Sequence, residues 1–400
     1  MLAQSGENAE QVARPGRTAA PWAKTLQCNR CNSGGILKIS PSDCAPAHNG
    51  RVIRRAATLR IQAFGRARVD KSLSYRRNKA SPLAYRIAFP VTSQPTLAIL
   101  LCTFNGQEFL SQQLDSIAAQ AGVNWTVWAS DDGSSDQTRD ILQRYQSAWG
   151  EHKLRILEGP GRGFVANFLS LLALDSINAD FFAFSDQDDV WHPEKLISAV
   201  SALSAFASDQ YLLYGARTRL IDEQGRPLGL SPDFVQPPGF ANALVQSIAG
   251  GNTLVFNAKA RSLLAHATPQ APLVTHDWWA YLVVTACGGQ MIYDPIARID
   301  YRQHRLNLVG MNVGLLPTMR RVYMLLAGYF KLANDQNIHA LAGVRARMTP
   351  QSRQVLEAFE VARGPAWLGA RCAALWRSGV YRQTWTGQAG LWFALIFRRL

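Results

Sequence analysis

Four hundred residues, 48% of them apolar, are ample chain for a large globular core. The net charge of +14 is unevenly placed, with +12 in residues 1–93, −7 in residues 94–313 and +9 in residues 314–400. An acidic centre excludes a catalytic core built to grip nucleic acid. Basic ends suit an anionic membrane surface instead.

Residues 1–93 are rich in Arg, Ala, Ser and Gly without sustained periodicity, which predicts a basic, disordered leader. Cys28, Cys31, Cys44 and His48 have a spacing loosely like a small zinc site, but in such a leader they read as incidental. Cys102, Cys287 and Cys372 sit among apolar neighbours and read as reduced thiols of a cytoplasmic protein. The first thirty residues lack the apolar stretch of a secretory signal, and no apolar run approaches the ~18 residues of a spanning helix.

From Pro95 the texture changes. Thr96–Thr103 reads as a buried strand and Gln107–Ala121 has helical spacing, with Phe109, Leu110, Leu114, Ile117 and Ala118 on one stripe. Asn124–Ala129 is the next strand, and Ser134 or Ser135 is placed to cap a helix running through Tyr145. Lys153–Leu157 reads as a strand, Gly159–Gly163 as a loop and Phe164–Leu174 as a helix. Phe181–Ser185 is a strand, and His192-Pro193 opens a helix to Ala207. This alternation predicts an α/β fold, a mostly parallel sheet with helices on both faces. Beyond Tyr211–Gly215 the pattern is irregular until a strand at Thr253–Phe256 and a helix at His276–Ala286. Residues 314–400 read as a basic, aromatic-rich helical segment.

Two acidic clusters follow the second and fourth strands: Ser130-Asp131-Asp132-Gly133-Ser134-Ser135-Asp136 and Ser185-Asp186-Gln187-Asp188-Asp189-Val190-Trp191. Parallel sheets bind ligands beyond the carboxyl ends of their strands. Three carboxylates in four residues repel one another unless a cation neutralises them, and a hard divalent ion carrying phosphates is the usual partner.

With Thr103-Phe104-Asn105-Gly106, His276-Asp277-Trp278-Trp279 and Tyr301-Arg302-Gln303-His304, these clusters fall in the order found in family 2 glycosyltransferases of the GT-A fold. Over about residues 95–312 the chain resembles that family, and within it the branch holding many bacterial rhamnosyltransferases. The resemblance implies a GT-A domain over residues 94–313; the leader has no counterpart there, and the basic, aromatic C-terminal segment suits either peripheral contact with a membrane surface or a packed helical subdomain. It implies inverting transfer of a sugar, with L-rhamnose favoured, from a dTDP- or UDP-linked donor to a hydroxyl of a surface polysaccharide such as an O-antigen. The acceptor would be a glycan carried on lipid, and the location cytoplasmic, peripheral at the inner membrane face.

The resemblance also assigns roles. Asp186 and Asp188 would form the motif for Mg²⁺ or Mn²⁺, Asp188 as the direct ligand, Asp186 nearer the ribose, Asp189 in support and His304 completing the shell. Asp132 would accept a hydrogen bond from a uracil or thymine ring N–H, beside Thr103 and Asn105 as the pocket wall. Arg162 and Asn167 would contact base and ribose, and Arg302 a phosphate. Asp277 is the candidate general base, because a carboxylate is already ionised at neutral pH and can take the acceptor's proton. Trp278 and Trp279 would stack on sugar or pack in the core, and Asn252, after Gly250-Gly251, would shape the acceptor pocket.

Two other classes use similar parts. A nucleotidyltransferase would carry a Gly-rich, basic phosphate loop after its first strand, whereas Thr103-Phe104-Asn105-Gly106-Gln107-Glu108 has no basic residue. A non-catalytic carbohydrate- or nucleotide-binding protein would need no base at Asp277.

Overall fold

The computed structural model describes residues 94–304, apart from 268, 270 and 271, and residues 328–400. The expected leader, its cysteine cluster and the loop after His304 lie outside the described residues.

Strand β1 (Thr96–Thr103) is buried along seven of its eight residues. Leu97, Ile99 and Leu101 enter one core, while Ala98, Leu100 and Cys102 enter the other, as the two-residue period of a strand dictates. β2 (Asn124–Asp131) and β4 (Phe181–Ser185) pair with β1 in parallel, and β3 (Leu154–Glu158) extends the sheet beyond β2. On the other side, β9 (Val255–Asn257) runs antiparallel between β4 and β6 (Leu212–Ala216), and β10 (Gln290–Asp294) lies parallel to β6. The order β10-β6-β9-β4-β1-β2-β3 is thus the mostly parallel sheet expected from the alternation of elements.

Helices cover both faces. α1 (Leu110–Ala118), α2 (Thr138–Trp149) and α4 (Lys195–Leu203) pack on the face of Leu97 and Ile99. α3 (Phe164–Ala173), α5 (Phe240–Ala243), α6 (Ala258–His266) and α7 (His276–Ala286) pack on the other. The C-terminal helices α8 (Tyr329–Leu341), α9 (Pro350–Arg363), α10 (Leu368–Ser378) and α11 (Trp385–Ile396) enlarge this second core through Leu356, Phe359, Leu375, Leu391 and Leu395. Polar ties join them to α5: the Gln383 amide donates to Gln246 Oε1 at 2.9 Å and Asn242 Nδ2 to the Tyr381 carbonyl at 3.0 Å. Among the described residues no helix is long and apolar enough to cross a membrane.

A second, four-stranded sheet was not expected. It is ordered β5 (Val190–Trp191), β11 (Ile299–Arg302), β7 (Arg219–Ile221) and β8 (Pro227–Leu230). Strands of two to four residues are too short to show periodicity, and they depend on pairing partners far away in sequence. This small sheet brings the chain after Asp189 alongside the chain that leads to His304. Nor do Ser134 and Ser135 cap α2. Asp136 Oδ1 accepts from the Thr138 amide at 3.0 Å, while Ser134 and Ser135 turn toward Asp131 and Asn105.

Asp131 is buried at the end of β2. Burial alone would raise its pKa, but hydrogen bonds from Ser134, Arg139 and Thr103 outweigh that and hold it below 3.8. A carboxylate with a depressed folded pKa contributes stability above its unfolded pKa and loses it as pH falls through the folded value. Asp131→Asn should therefore lower the urea midpoint at pH 7, with the gap to the parent narrowing below about pH 4. A gap independent of pH would show that the charge carries none of the stabilisation.

Candidate active site

Parallel pairing sets the two acidic clusters side by side. Thr103 is in register with Asp131, and Leu101 with Ser185, so β1, β2 and β4 end at one edge of the sheet. Gln187 ties the β4 turn to the loop after β1: its Oε1 accepts from the Phe104 amide at 2.8 Å and its Nε2 donates to the Phe104 carbonyl at 3.0 Å. Asn105, at φ 47°, accepts from the Ser135 amide at 2.8 Å and joins the same loop to the β2 turn. Asn adopts this left-handed backbone more readily than most side chains.

The carboxylates share one electrostatic neighbourhood. Asp186 has its pKa pushed up to about 8, first by burial, then by the charge of Asp188 and then by that of Asp277. Burial, with the charges of Asp186 and Asp132, likewise raises the thiol of Cys102 on β1. Burial and the charges of Asp189, Asp186 and Asp188 raise the Tyr301 phenol. Asp132, Asp186, Asp188 and Asp277 thus gather about the end of β1, although they come from three separate stretches of chain.

Asp188 Oδ2 lies 2.7 Å from His304 Nε2, and the His304 ring lies 5.2 Å from that of Phe109. β11 delivers His304, which explains the distant pairing. Among the described residues no group of three or more His, Cys, Asp or Glu side chains is arranged to hold a metal ion.

Asp277 stands in the first turn of α7. Thr275, the residue before the helix, accepts from the Trp278 amide at 3.4 Å and is its N-cap, so capping does not require Asp277. Asp277 Oδ1 also accepts from that amide at 2.8 Å, which orients the carboxylate at the positive end of the helix dipole. His276 was assigned no role from sequence. It stacks on Phe168 at 3.9 Å and meets Phe184 edge-on at 4.8 Å, fixing the first turn of α7 against α3 and β4. Burial pushes its imidazole down to about 4 against the opposing charge of Asp277, so the ring is neutral at physiological pH. The only sequence signal was its place before an acidic helix start.

Several residues singled out in the sequence are held by protein partners. Both side-chain atoms of Asn167 are engaged by Ser130, with Nδ2 donating to the carbonyl at 2.9 Å and Oδ1 accepting from the hydroxyl at 2.5 Å. Only 1% exposed, Asn167 ties α3 to β2. Arg302 is buried as well. Its Nε donates to the Asp188 carbonyl at 3.0 Å, Nη1 to the Glu223 carbonyl at 3.0 Å and Nη2 to Gln112 Oε1 at 2.6 Å, over the Phe109 ring. A guanidinium so bound braces the Asp188 turn. Asn252 donates from Nδ2 to Asp189 Oδ2 at 2.8 Å and belongs to this brace. Trp278 and Trp279 are core residues, 3% and 1% exposed, and Trp278 Nε1 donates to the Ala243 carbonyl at 2.6 Å. Their large apolar area is used in packing α7 on the sheet.

Thr103 is buried and donates to Asp131 Oδ1 at 2.9 Å. Asp132 is held by the glycine loop, Oδ1 accepting from the Gly161 amide and Oδ2 from the Gly163 amide, each at 2.7 Å. Arg162 stands exposed between those glycines. Gly159 starts the loop where a Cβ would come within 2.9 Å of the Asp131 carbonyl oxygen, so no larger residue fits without moving β2.

Residues 98–226 match the family model for glycosyl transferase family 2. Over those residues the chain carries a family 2 glycosyltransferase domain, which supports a glycosyltransferase. It is similar to dTDP-rhamnosyl transferase RfbG of Shigella flexneri, with 25% identity over 60% of this chain and 84% of that protein. It is also similar to an uncharacterized glycosyltransferase of Rickettsia felis, with 26% identity over 41% of this chain and 27% of that protein. Among solved structures, the mannosyltransferase PcManGT from Pyrobaculum calidifontis, in complex with GDP-Man and Mn²⁺, aligns with a TM-score of 0.42. The identity there is 16%, over 72% of this chain and 87% of that one.

A carboxyl whose folded pKa stands above its unfolded value costs stability as pH rises between the two. For Asp186 that interval runs from 3.8 to about 8. In chelator, Asp186→Asn should therefore melt higher than the parent, by a margin that grows from pH 4 to 8 and then levels. Parallel melting curves across that range would show that burial and crowding leave Asp186 unstrained.

Proposed function

We propose that the protein transfers a sugar, with inversion and with the help of a divalent cation, from a nucleoside diphosphate to a hydroxyl of a surface polysaccharide under construction. The observation that carries this reading is the crowding of Asp186 by Asp188 and Asp277. Carboxylates that oppose one another's ionisation are relieved by a cation. Mg²⁺-type ions bind through one or two carboxylates plus the phosphates they serve, so a site of this kind needs no three-residue cage. The hard oxygens of Asp188 and Asp186 fit such an ion, with His304, now on Asp188, as a further ligand. When bound, the ion would supply positive charge to the leaving diphosphate.

The chain's own groups do the rest. Asp277 takes the proton from the acceptor hydroxyl as that oxygen attacks the anomeric carbon. The acceptor therefore enters from the α7 side, and the diphosphate leaves toward Asp188. Asp132 keeps unused lone pairs on both oxygens while bound by Gly161 and Gly163, so it can also accept from a base N–H. That contact favours uracil or thymine. Similarity to a protein named as a dTDP-rhamnosyl transferase makes dTDP-L-rhamnose the first donor to test, and a lipid-linked glycan the first acceptor.

Asp277→Asn should retain donor binding while turnover falls by about 100-fold or more, the usual range for losing a general base. Asp188→Ala should lose the cation-dependent part of donor binding. Thermal melts of the full chain with Mn²⁺ and dTDP-, UDP- or GDP-linked sugars would rank the donors, since a ligand at 100 times its Kd adds roughly 2.7 kcal/mol. Undiminished turnover in Asp277→Asn would remove Asp277 as the base, and undiminished activity in excess chelator would remove the cation.

A further inference from the structure

Helix α11 is apolar on both sides. Over its twelve residues, Trp-Thr-Gly-Gln-Ala-Gly-Leu-Trp-Phe-Ala-Leu-Ile, it carries no charge. Leu391, Ala394 and Leu395 are buried against the rest of the C-terminal segment. The opposite side faces outward: Trp385 is 82% exposed, Phe393 36% and Ile396 50%, and Phe397 just beyond the helix is 54% exposed. At about 100° per residue, Trp385, Ala389, Phe393 and Ile396 fall within roughly 80° of arc, one continuous stripe along ~18 Å of helix. Trp392 lies at the margin and is partly buried.

The surroundings of the stripe narrow its partner. From Val361 to Leu400 there are six arginines and no acidic residue, and Arg398 and Arg399 stand exposed at the end of α11. On the neighbouring helix, Trp376 is 79% exposed, and Trp367 at its start is 75% exposed. Tryptophan and phenylalanine side chains beside arginines match the boundary between acyl chains and anionic headgroups. A second copy of the chain fits less well. A two-fold pairing of this stripe would set the Arg398-Arg399 pairs of both copies against each other with no acidic partner in the segment.

We propose that the outward stripe of α11 lies in the surface of an anionic bilayer, with its apolar side chains among the lipids and Arg398 and Arg399 on the headgroups. The inference stands apart from the choice of sugar. The test needs neither donor nor acceptor. The full chain is mixed with phosphatidylcholine vesicles, with and without phosphatidylglycerol, and separated by flotation. Tryptophan emission is read against brominated lipid in parallel.

The chain should float with the phosphatidylglycerol vesicles, less so at high salt, and its emission should be quenched. The double variant Trp385→Ser/Phe393→Ser should bind at least about tenfold more weakly, since burying one such side chain contributes roughly 1.5–3 kcal/mol. Arg398→Glu/Arg399→Glu should weaken binding to the anionic vesicles. Unchanged melting temperature and nucleotide binding would show that both variants are folded. Failure of the parent to float, equal binding to uncharged vesicles, or double-variant binding equal to the parent's would overturn the proposal. A concentration-dependent dimer without flotation, abolished by the same double variant in sedimentation, would assign the stripe to a second copy.

Discussion

The organising constraint in this molecule is the repulsion among carboxylates collected where parallel strands stop. A sheet pairing β1 with β2 and β4 necessarily brings their ends together, and here each flanking strand ends in aspartates. The cost is visible at Asp186, where burial and two neighbouring charges oppose ionisation. A globular protein has easier ways to end a strand, so the crowding is understood through the positive partner it is suited to receive.

Holding such a cluster in place requires a stiff support, and the small second sheet supplies one. Asp189 is fully buried and accepts from Asn252 and from the Arg302 amide, while the Arg302 guanidinium binds the Asp188 carbonyl. The turn carrying Asp188 is therefore fastened from two directions, by the 3-10 turn Gly251–Thr253 and by β11. These polar groups have buried partners, which is the condition under which buried polarity rigidifies a site. Asp189 and Arg302 thereby fix the turn that carries Asp188.

How much of this could be read in the sequence depended on the range of the interactions. β1 and β4 were found with their observed ends, because long apolar runs bounded by turn residues identify themselves locally. The acidic clusters were found for the same reason. Residues whose neighbours are remote were not legible. Arg302 near a metal motif resembled a phosphate ligand, and only its partners Gln112 and Glu223, roughly eighty to two hundred residues away, reveal a brace. The partners of Asn167 and Asn252, on other strands and turns, were equally invisible in the sequence. The tryptophans after Asp277 could be core or contact until the depth of α7 decided it.

The grip of Asp132 on the Gly161 and Gly163 amides bears on how genetic variation in this region is to be interpreted. Residue 132 and the loop displaying Arg162 form one mechanical unit, so a change at the aspartate frees the arginine as well. Under the role proposed for Asp132, a loss of nucleotide recognition traced to that position is the sum of a missing acceptor and a slackened loop. Homologues that keep the aspartate while altering the glycines would have parted those two contributions naturally.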